Sequence, residues 1–497
     1  MTTSPSILPS APPTPASEVA TTTITTPRAI FALLVGFAAF AFTIVLPTLL
    51  LDGDTGWHLA TGAWIVAHGS VPTHDPFSFT AAGRPWVAHE WLSELAMYAS
   101  YRAAGWTGLN LLTGAAMAAL YALVAHEICR WMSIRASIVA LLLTAPGIAP
   151  SLLARPHILA LPLLAGWLIA LLHARERGRA PSLVLVLLML VWANAHGSFI
   201  FGLALAAVFA LEALIAAAPA DRRAVVLGWG IFGACSGIAA LATPAGFDGI
   251  VFPFYVNGLK LLAHLGEWQP ANFSTFAAPE AILLATLFFV LAKPVRIPPV
   301  RLLLLLGVLH LALQHTRQEI VLVVVGVLIL AEPIGRAWTP ATATVARISP
   351  TARRDTYRTG LAVLAIALAL VAYRIAVPVA RTNSPGVPAA ALRRLPPSLR
   401  TQRVFNEYSF GGSLIFAGIR PYIDGRSDMY GDPFTLDYIA ILGGDAARWR
   451  AANAKWKFGW TILPQHSPLA KRLDHDPAWR RIYADDTAAI HVARPTL

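Results

Sequence analysis

The chain has 497 residues, of which 56% are hydrophobic and 13% are charged, and its formal net charge is +12. Repeated apolar runs of about 18 residues or more exclude an ordinary soluble globular protein and indicate several membrane-spanning helices. The positive charge does not indicate a nucleic-acid partner, because the Arg residues lie in short loops between apolar runs, where they act as topology signals. Cys129 and Cys235 lie in or beside apolar segments far apart in the sequence, which argues against a disulfide framework.

Residues 1–27 are rich in Ser, Thr, Pro and Ala. A segment of this composition cannot bury a core, and it lacks the basic region and the short apolar region of a removable signal peptide. We therefore predict a disordered cytoplasmic tail over 1–27, followed by a first apolar span over 29–51.

The first span ends in an acidic segment, Asp52-Gly-Asp54-Thr-Gly-Trp57-His58. Carboxylates held where a chain leaves the lipid carry a desolvation cost and usually have a function; the alternative is that they only solvate the end of the span. If Asp54 begins a helix, His58 follows one turn later on the same face. A long polar loop over 52–105 should contain a helix over 54–67, turns at 69–72 and 83–85, and a second helix that begins at His89.

Ten further apolar spans bring the predicted total to eleven. They lie at 106–129, 136–153, 156–173, 181–197, 198–218, 224–243, 279–292, 300–315, 318–332 and 359–378. Every second loop is rich in Arg, so the positive-inside rule places the N-terminus in the cytoplasm and the Asp54 loop outside. With eleven spans the C-terminal segment is also extracytoplasmic, whereas an even number would place it inside. We predict a multi-pass protein of the inner (plasma) membrane.

Beyond about residue 380 the charge rises and the apolar runs shorten. Short apolar runs over 403–412, 460–464 and 488–493, separated by helical stretches, predict a small extracytoplasmic α/β domain over 381–497. The predicted fold is therefore an all-α polytopic membrane domain over 28–380, which includes the outward loop, with a small C-terminal α/β domain. The run from Asp424 to Asp428 is interpreted as a structural Asp–Arg turn, and otherwise as a contact with an acceptor.

The arrangement over 45–115 resembles the first extracytoplasmic loop of the GT-C class of integral-membrane glycosyltransferases. That class includes the protein O-mannosyltransferases and the lipid A aminoarabinose transferase. The resemblance rests on the Asp52/Asp54 pair, the helix that follows it, the two Gly/Pro turns and the second helix. The Asp-x-Asp-x-x-Trp-His opening and the His-Glu-Trp-Leu start of the second helix are similar to a bacterial branch. Many relatives have Pro-Pro-Leu where this chain has 89–92, a difference that concerns the substrate more than the fold.

The resemblance implies transfer of a sugar, a hexose or a pentose, from a polyprenyl-phosphate-linked donor to a glycan, lipid or protein acceptor of the cell envelope. Such a site needs a carboxylate that deprotonates the acceptor hydroxyl and cations or a metal that stabilise the leaving phosphate. Asp54 is the predicted base and Asp52 the second choice. Inversion follows if one carboxylate acts as a base without a covalent intermediate.

The predicted substrate-binding residues are polar groups near the outward ends of the spans: His58, Asp75, His89, Glu90, Arg155, His157, Asn194, His196, Glu267 and Arg317. Guanidinium groups suit phosphate, although Arg155 and Arg317 have the alternative of snorkelling at helix ends. The alternative for His196 is a hydrogen-bonded packing role, and for Glu267 a solvated interfacial position.

No cofactor is specified with certainty. A divalent metal held by His58, Asp75, His89 and Glu90 is one option, since imidazole and carboxylate are suitable ligands; hydrogen-bonded support of the loop is the other. The enzyme hypothesis requires Asp54, Glu90, Arg155 and Arg317 to converge on one cavity.

Two other functions remain open. A transporter or flippase of lipid-linked saccharide would predict inverted repeats and broken spans at matching positions, with charges at mid-span, whereas the charges of this chain lie at the outer ends of its spans. A non-catalytic membrane scaffold, whose outer domain binds a partner, is the third.

Overall fold

The computed structural model describes residues 25–338 and 350–494, and the side chains of 28–338 and 357–494. Most of the predicted tail over 1–27 therefore lies outside the described residues. The described part of the chain is mostly helical. Its first thirteen α-helices are α1 (Thr25–Val45), α2 (Thr55–His68), α3 (Trp91–Ile128), α4 (Ile134–Ile148), α5 (Pro156–Glu176), α6 (Val186–Ala195), α7 (Phe199–Ala216), α8 (Arg222–Leu241), α9 (Phe247–Asn257), α10 (Ala278–Leu291), α11 (Pro299–Gln314), α12 (Glu319–Trp338) and α13 (Pro350–Ala376).

Eight helices among the described residues are long and apolar enough to cross a membrane. They are Arg28–Val45, Trp91–Ile128, Ile134–Ser151, Pro156–Glu176, Phe199–Ala216, Arg222–Leu241, Thr316–Trp338 and Tyr357–Ala376. Three shorter apolar helices, Leu183–Ala195, Ala278–Leu291 and Pro299–Gln314, lie at the other predicted spans. The polytopic helical architecture agrees with the sequence analysis, while the crossing of these three helices stays a prediction.

The 38-residue helix α3 consists of two straight parts joined by a bend. Gly105 lies at the bend with φ 60° and ψ −144°, a left-handed conformation that glycine adopts without a Cβ clash. The first part packs on α2, where Gly62 lies against the backbone carbonyl of Glu94. The second part begins at Trp106, which is where the predicted second span begins. The bend therefore separates the polar-loop part of the helix from its apolar part.

The C-terminal region forms a small mixed sheet with helices around it. Its helices are α14 (Ala389–Arg393), α15 (Gly411–Phe416), α16 (Ser427–Leu442), α17 (Ala446–Trp456) and α18 (Pro468–His475), and its strands are β1 (Val404–Asn406), β2 (Trp460–Leu463), β3 (Trp479–Ala484) and β4 (Ala489–Ala493). The strand order is β1-β2-β4-β3; β1 and β2 are parallel, and the other pairs are antiparallel. Strand β3 was not predicted, because it is an edge strand whose residues are mostly exposed and it lacks the alternation of a half-buried strand.

The C-terminal region packs directly on the acidic segment that follows α1. A Cβ atom on Gly56 would overlap the backbone of Gly412, and a Cβ atom on Gly412 would overlap the carbonyl of Gly53. Ser384 donates a hydrogen bond of 2.7 Å to the carbonyl of Leu51. Because the backbones meet without intervening side chains, this contact fixes the C-terminal region relative to the start of α2.

This contact predicts that Gly56→Ala destabilises the protein. The added methyl group forces the two backbones apart, and overpacking of this kind costs about 1–3 kcal/mol. Thermal unfolding in detergent micelles measures the effect, and proteolysis between α13 and α14 reports release of the C-terminal region. The matched control is Gly237→Ala in α8, where nothing lies within 4 Å of an added Cβ and helix propensity favours Ala by about 0.5–1 kcal/mol. Equal unfolding temperatures for the two variants would contradict the close contact.

Candidate functional site

A cavity of about 410 Å³ lies where the polar loop, the ends of several membrane helices and the C-terminal region meet. Its charged and titratable lining residues are Asp54, His58, His89, Glu90, Glu94, Arg155, His157, His196, Glu267, Arg317, Tyr408, Arg426 and Asp428. Such a concentration of titratable groups in a single concave site is typical of a functional site.

The lining residues come from helix ends that collect at one side of the helical domain. Asp54 occupies the N-cap position of α2, and Glu90 occupies that of α3. Arg155 immediately precedes α5, which begins with Pro156 as is common at a first helical position. These side chains therefore project from rigid elements rather than from mobile loop tips.

Arg155 is the central cation of the site. Its guanidinium donates to Asp52 through Nε and, at 2.5 Å, through an NH2 group. It also lies 2.9 Å from Asp54 Oδ2 and 3.3 Å from Glu267 Oε2. Burial would raise the pKa of Asp52, but the charge and hydrogen bonds of Arg155 outweigh it and hold the pKa below the usual range. Asp52 therefore stays ionised, and its two hydrogen bonds fix the orientation of the guanidinium.

The pKa of Asp54 changes in the opposite direction to that of Asp52, although both carboxylates contact the same guanidinium. Burial raises the pKa of Asp54 to about 7; the Arg155 charge opposes this increase, and the charges of Asp52 and Glu267 add to it. A carboxyl group with a pKa near 7 exchanges a proton readily at neutral pH, which is what general base catalysis requires. Its carboxylate faces the cavity and lies against the backbone of Gly425.

Glu267 links Arg155 and Arg317. Its carboxylate oxygens lie 3.3 Å from Arg155 and 3.3 Å from Arg317, and its side chain is 44% exposed. The Arg317 guanidinium also lies 4.5 Å from the ring centroid of Trp268. Two guanidinium groups that share one exposed carboxylate form a site that suits a phosphate group.

A second polar cluster surrounds Glu90. Its carboxylate lies 3.2 Å from His196 Nε2, 3.6 Å from His89 Nε2 and 3.8 Å from His58 Nδ1. Burial would raise the pKa of Glu90, but these three imidazoles lower it well below the usual range. Burial lowers the pKa of His58 and of His196 to about 3, with Glu90 opposing in both cases. Glu90 is therefore ionised, and His58 and His196 are neutral at pH 7.

The C-terminal region supplies one wall of the cavity. Arg426 is 1% exposed and lies 2.7 Å from Asp424 and 2.8 Å from Asp75. Burial raises the pKa of the neighbouring Asp428 to about 6, against the charges of His89 and Arg426. The Asp424–Asp428 run thus forms the predicted Asp–Arg turn, and it also lines the cavity.

The structure brings together Asp54, Glu90, Arg155 and Arg317 at this cavity, together with the predicted His58, His89, His157, His196 and Glu267. Three predicted site residues do not line it. Asp52 accepts hydrogen bonds from Arg155, and Asp75 accepts hydrogen bonds from Ser78 and Arg426.

Asn194 is the third, and its amide is fully used in helix packing. It accepts from Trp91 Nε1 at 2.8 Å and donates to the carbonyls of Leu190 and Ala242. All three side chains are engaged by other groups of the protein and are not among the residues that line the cavity, so their role in substrate binding stays a prediction.

Four of the titratable lining residues were not among the predicted site residues: Glu94, Tyr408, Arg426 and Asp428. Glu94 had a local signal, because it lies four residues after Glu90 and therefore on the same face of α3. The other three belong to a region more than 300 residues away in sequence from the acidic segment, and local patterns do not report that proximity.

The sequence matches no protein-family model and no curated protein. The solved structures that it resembles include the oligosaccharyltransferase of Archaeoglobus fulgidus in the apo form. That match has a TM-score of 0.49 and 11% sequence identity, and it covers 88% of this chain and 69% of the other. A likeness at this level assigns neither a family nor an activity.

The buried Arg426 predicts a large loss of stability when its charge is removed. Arg426→Met leaves Asp75 and Asp424 buried without their shared cation, and breaking such a buried pair costs about 3–5 kcal/mol. The control is Arg448→Met: Arg448 is 51% exposed and lies 2.8 Å from Asp437, and a surface pair contributes about 0–1 kcal/mol. Thermal unfolding of both variants in the same detergent compares the two losses. An unfolding temperature of the Arg426 variant equal to that of the control would contradict the structural role of the turn.

Proposed function

We propose that the chain is an integral-membrane glycosyltransferase of the GT-C class. It moves a sugar from a polyprenyl-phosphate-linked donor to a cell-envelope acceptor at the outer face of the membrane. The observation that supports this most is the placement of Asp54, whose pKa is about 7, beside Arg155 and Arg317 in one cavity at the ends of the membrane helices.

In the proposed reaction Asp54 accepts the proton of the acceptor hydroxyl. The oxygen of that hydroxyl attacks the anomeric carbon of the donor sugar at the same time. The bond between that carbon and the phosphate oxygen breaks, and the electron pair leaves with the phosphate. Arg155 and Arg317 stabilise the negative charge that develops there. With one base and no covalent sugar intermediate, the configuration at the anomeric carbon inverts, as in inverting glycosidases.

Glu267 supports the assignment of the phosphate site. Its carboxylate lies between the two guanidinium groups at equal distances of 3.3 Å, and a phosphate would present oxygens of the same charge to the same pair. The proposed donor displaces this carboxylate and takes its place. Because Glu267 is partly exposed, it can move towards solvent at a modest energetic cost.

Two apolar surfaces support a lipid-carried donor. A crevice of about 470 Å³ lies between α4, α10, α11 and α12, and apolar side chains form most of its walls. One of its few charged lining residues is Glu319, two positions after Arg317. The cavity itself has apolar lining residues from the segment before α10, among them Phe252 and Leu265. A polyprenyl chain matches these surfaces chemically, whereas a soluble nucleotide sugar does not.

The charge distribution supports an outward-facing cavity. The helix ends opposite the cavity carry the Arg- and Lys-rich loops, with Arg130, Arg135, Arg175, Arg177, Arg179, Arg222, Arg223, Lys293 and Arg296. By the positive-inside rule these loops are cytoplasmic. The proposed transfer then takes place outside the cytoplasm, where nucleotide sugars are not made and a lipid carrier is needed.

The enzyme proposal predicts that Asp54→Asn abolishes transfer without loss of fold. Removal of a general base lowers the rate by about 10²–10⁴-fold. Mass spectrometry measures the transfer of sugar from polyprenyl-phosphate sugars to envelope acceptors. Cells with the wild-type protein, with the variant and without the protein are compared. The donor should accumulate and the modified acceptor should disappear. The control is Asp437→Asn, a change of the same chemistry at an exposed ion pair.

Two outcomes would contradict this proposal. Wild-type transfer by the Asp54 variant would remove Asp54 from the mechanism. Movement of the lipid-linked sugar across vesicles by the wild-type protein, with no sugar transferred, would instead support a flippase.

The raised pKa of Asp54 predicts the pH dependence of the reaction. The base form exists above the pKa of about 7, so kcat/KM should fall about tenfold per pH unit below that value and level off above it. A pH–rate profile between about pH 5 and pH 9 measures the break. A profile that is flat through neutral pH in the wild-type protein would exclude Asp54 as the base.

A further inference from the structure

We propose that His58, Glu90 and Glu94 form a binding site for one divalent transition-metal ion, with Zn²⁺ as the preferred ion, in the wall of the cavity. The site differs in composition from the metal option considered from the sequence. Asp75 belongs to the Arg426 ion pair, and the cluster contains Glu94 in addition to His58 and Glu90, without Asp75 or His89.

The geometry brings three ligand atoms together. One ligand atom of each residue lies within 4.8 Å of the other two. His58 Nδ1 lies 3.1 Å from Glu94 Oε1 and 3.8 Å from Glu90 Oε2. Tetrahedral ligands at about 2.1 Å from Zn²⁺ are about 3.4 Å apart. The imidazole nitrogen thus already lies close to this separation from each carboxylate, and the two carboxylates offer ligand atoms within 4.8 Å of each other.

An unsatisfied buried atom points to a missing ligand. Glu94 is 1% exposed, and its Oε2 atom has no hydrogen-bond partner among the described residues. A buried carboxylate oxygen without a partner is costly, and native structures rarely leave one. A cation between Glu94 and Glu90 would satisfy this oxygen and balance the two carboxylates.

The surrounding residues hold Glu90 in the orientation of a ligand. The backbone N–H of Ser198 donates to His196 Nδ1 at 3.1 Å, so the neutral imidazole carries its proton on Nε2. This Nε2 atom lies 3.2 Å from Glu90 Oε1, whereas Glu90 Oε2 lies 3.8 Å from His58 Nδ1. Polar neighbours outside the ligand set orient metal ligands and tune their basicity.

The chemistry of the ligand set selects the ion. One imidazole and two carboxylates match the ligand types of catalytic zinc sites, which keep a further position open for water or substrate, whereas Mg²⁺ prefers oxygen ligands throughout. His58 would coordinate through Nδ1, with its proton on Nε2. Because all three residues line the cavity, the open position would face the space where a substrate binds.

A second cluster in the chain offers a matched contrast. Glu127, His173 and Glu176 also bring their ligand atoms within 4.8 Å of one another. There, however, the Arg130 guanidinium lies 2.7 Å from Glu127 and 2.5 Å from Glu176. A fixed cation already balances these carboxylates, so this cluster should not bind an ion.

The experiment is Zn²⁺ titration of the full-length protein in detergent after treatment with a chelator. Calorimetry and elemental analysis should give one Zn²⁺ per chain, with a higher unfolding temperature on binding. Glu94→Gln, which preserves the shape of the side chain, should weaken binding by about a hundredfold or more, and His58→Ala should do the same. Glu176→Gln should bind as the wild-type protein does, and Mg²⁺ should bind far more weakly than Zn²⁺.

Unchanged Zn²⁺ affinity in Glu94→Gln, loss of binding in Glu176→Gln alone, or equal affinities for Mg²⁺ and Zn²⁺ would each overturn the proposal. Circular dichroism of every variant verifies the fold, and the isosteric Glu94→Gln keeps the test decisive if His58→Ala does not fold. The readout is metal binding and not sugar transfer. Its failure is therefore distinct from a failure of the proposed function.

Discussion

The site depends on one partly buried guanidinium that three carboxylates share. Arg155 precedes α5, Asp52 and Asp54 precede α2, and Glu267 lies in the segment between α9 and α10. A single cation therefore ties together the starts of two helices and this segment. A buried charge is tolerated only when partners compensate it. The same arrangement produces two different carboxylates: Asp52 is held ionised, whereas Asp54 is left near its midpoint at neutral pH. This difference leaves Asp52 as a fixed charge partner of Arg155 and leaves Asp54 able to exchange a proton at neutral pH.

The C-terminal region is part of the site rather than an appendage. Its backbone meets the acidic segment at Gly53, Gly56 and Gly412 without side chains between them. Arg426 then crosses to Asp75 of the polar loop. These two connections place Tyr408 and Asp428 on the cavity wall. The cavity is thus a joint product of the membrane helices and the small mixed sheet.

Local sequence patterns predicted the helical segments and the side of the membrane domain where polar groups collect. Apolar runs of helix length are local signals, and the acidic segment after α1 lies within seven residues. Long-range pairing has no such signal: Arg426 and Asp75 are 351 residues apart. Asn194 was predicted as a binding residue because a polar side chain is unusual inside a span. Trp91 and two backbone carbonyls form hydrogen bonds with its amide group. A polar residue within a span requires a hydrogen-bond partner, but the sequence does not show whether a neighbouring helix or a substrate supplies it.

The close packing of the C-terminal region on the acidic segment has a consequence for biogenesis. The ribosome makes the acidic segment early, whereas the last hundred residues emerge after all the membrane helices, and domains generally fold in the order of their synthesis. The cavity therefore lacks one wall until the C-terminal region has been synthesised and has docked on the acidic segment. A chain that stalls during insertion would carry Asp54 and Arg155 without the wall that Tyr408 and Asp428 supply, so the cavity is complete only after this late region has been made.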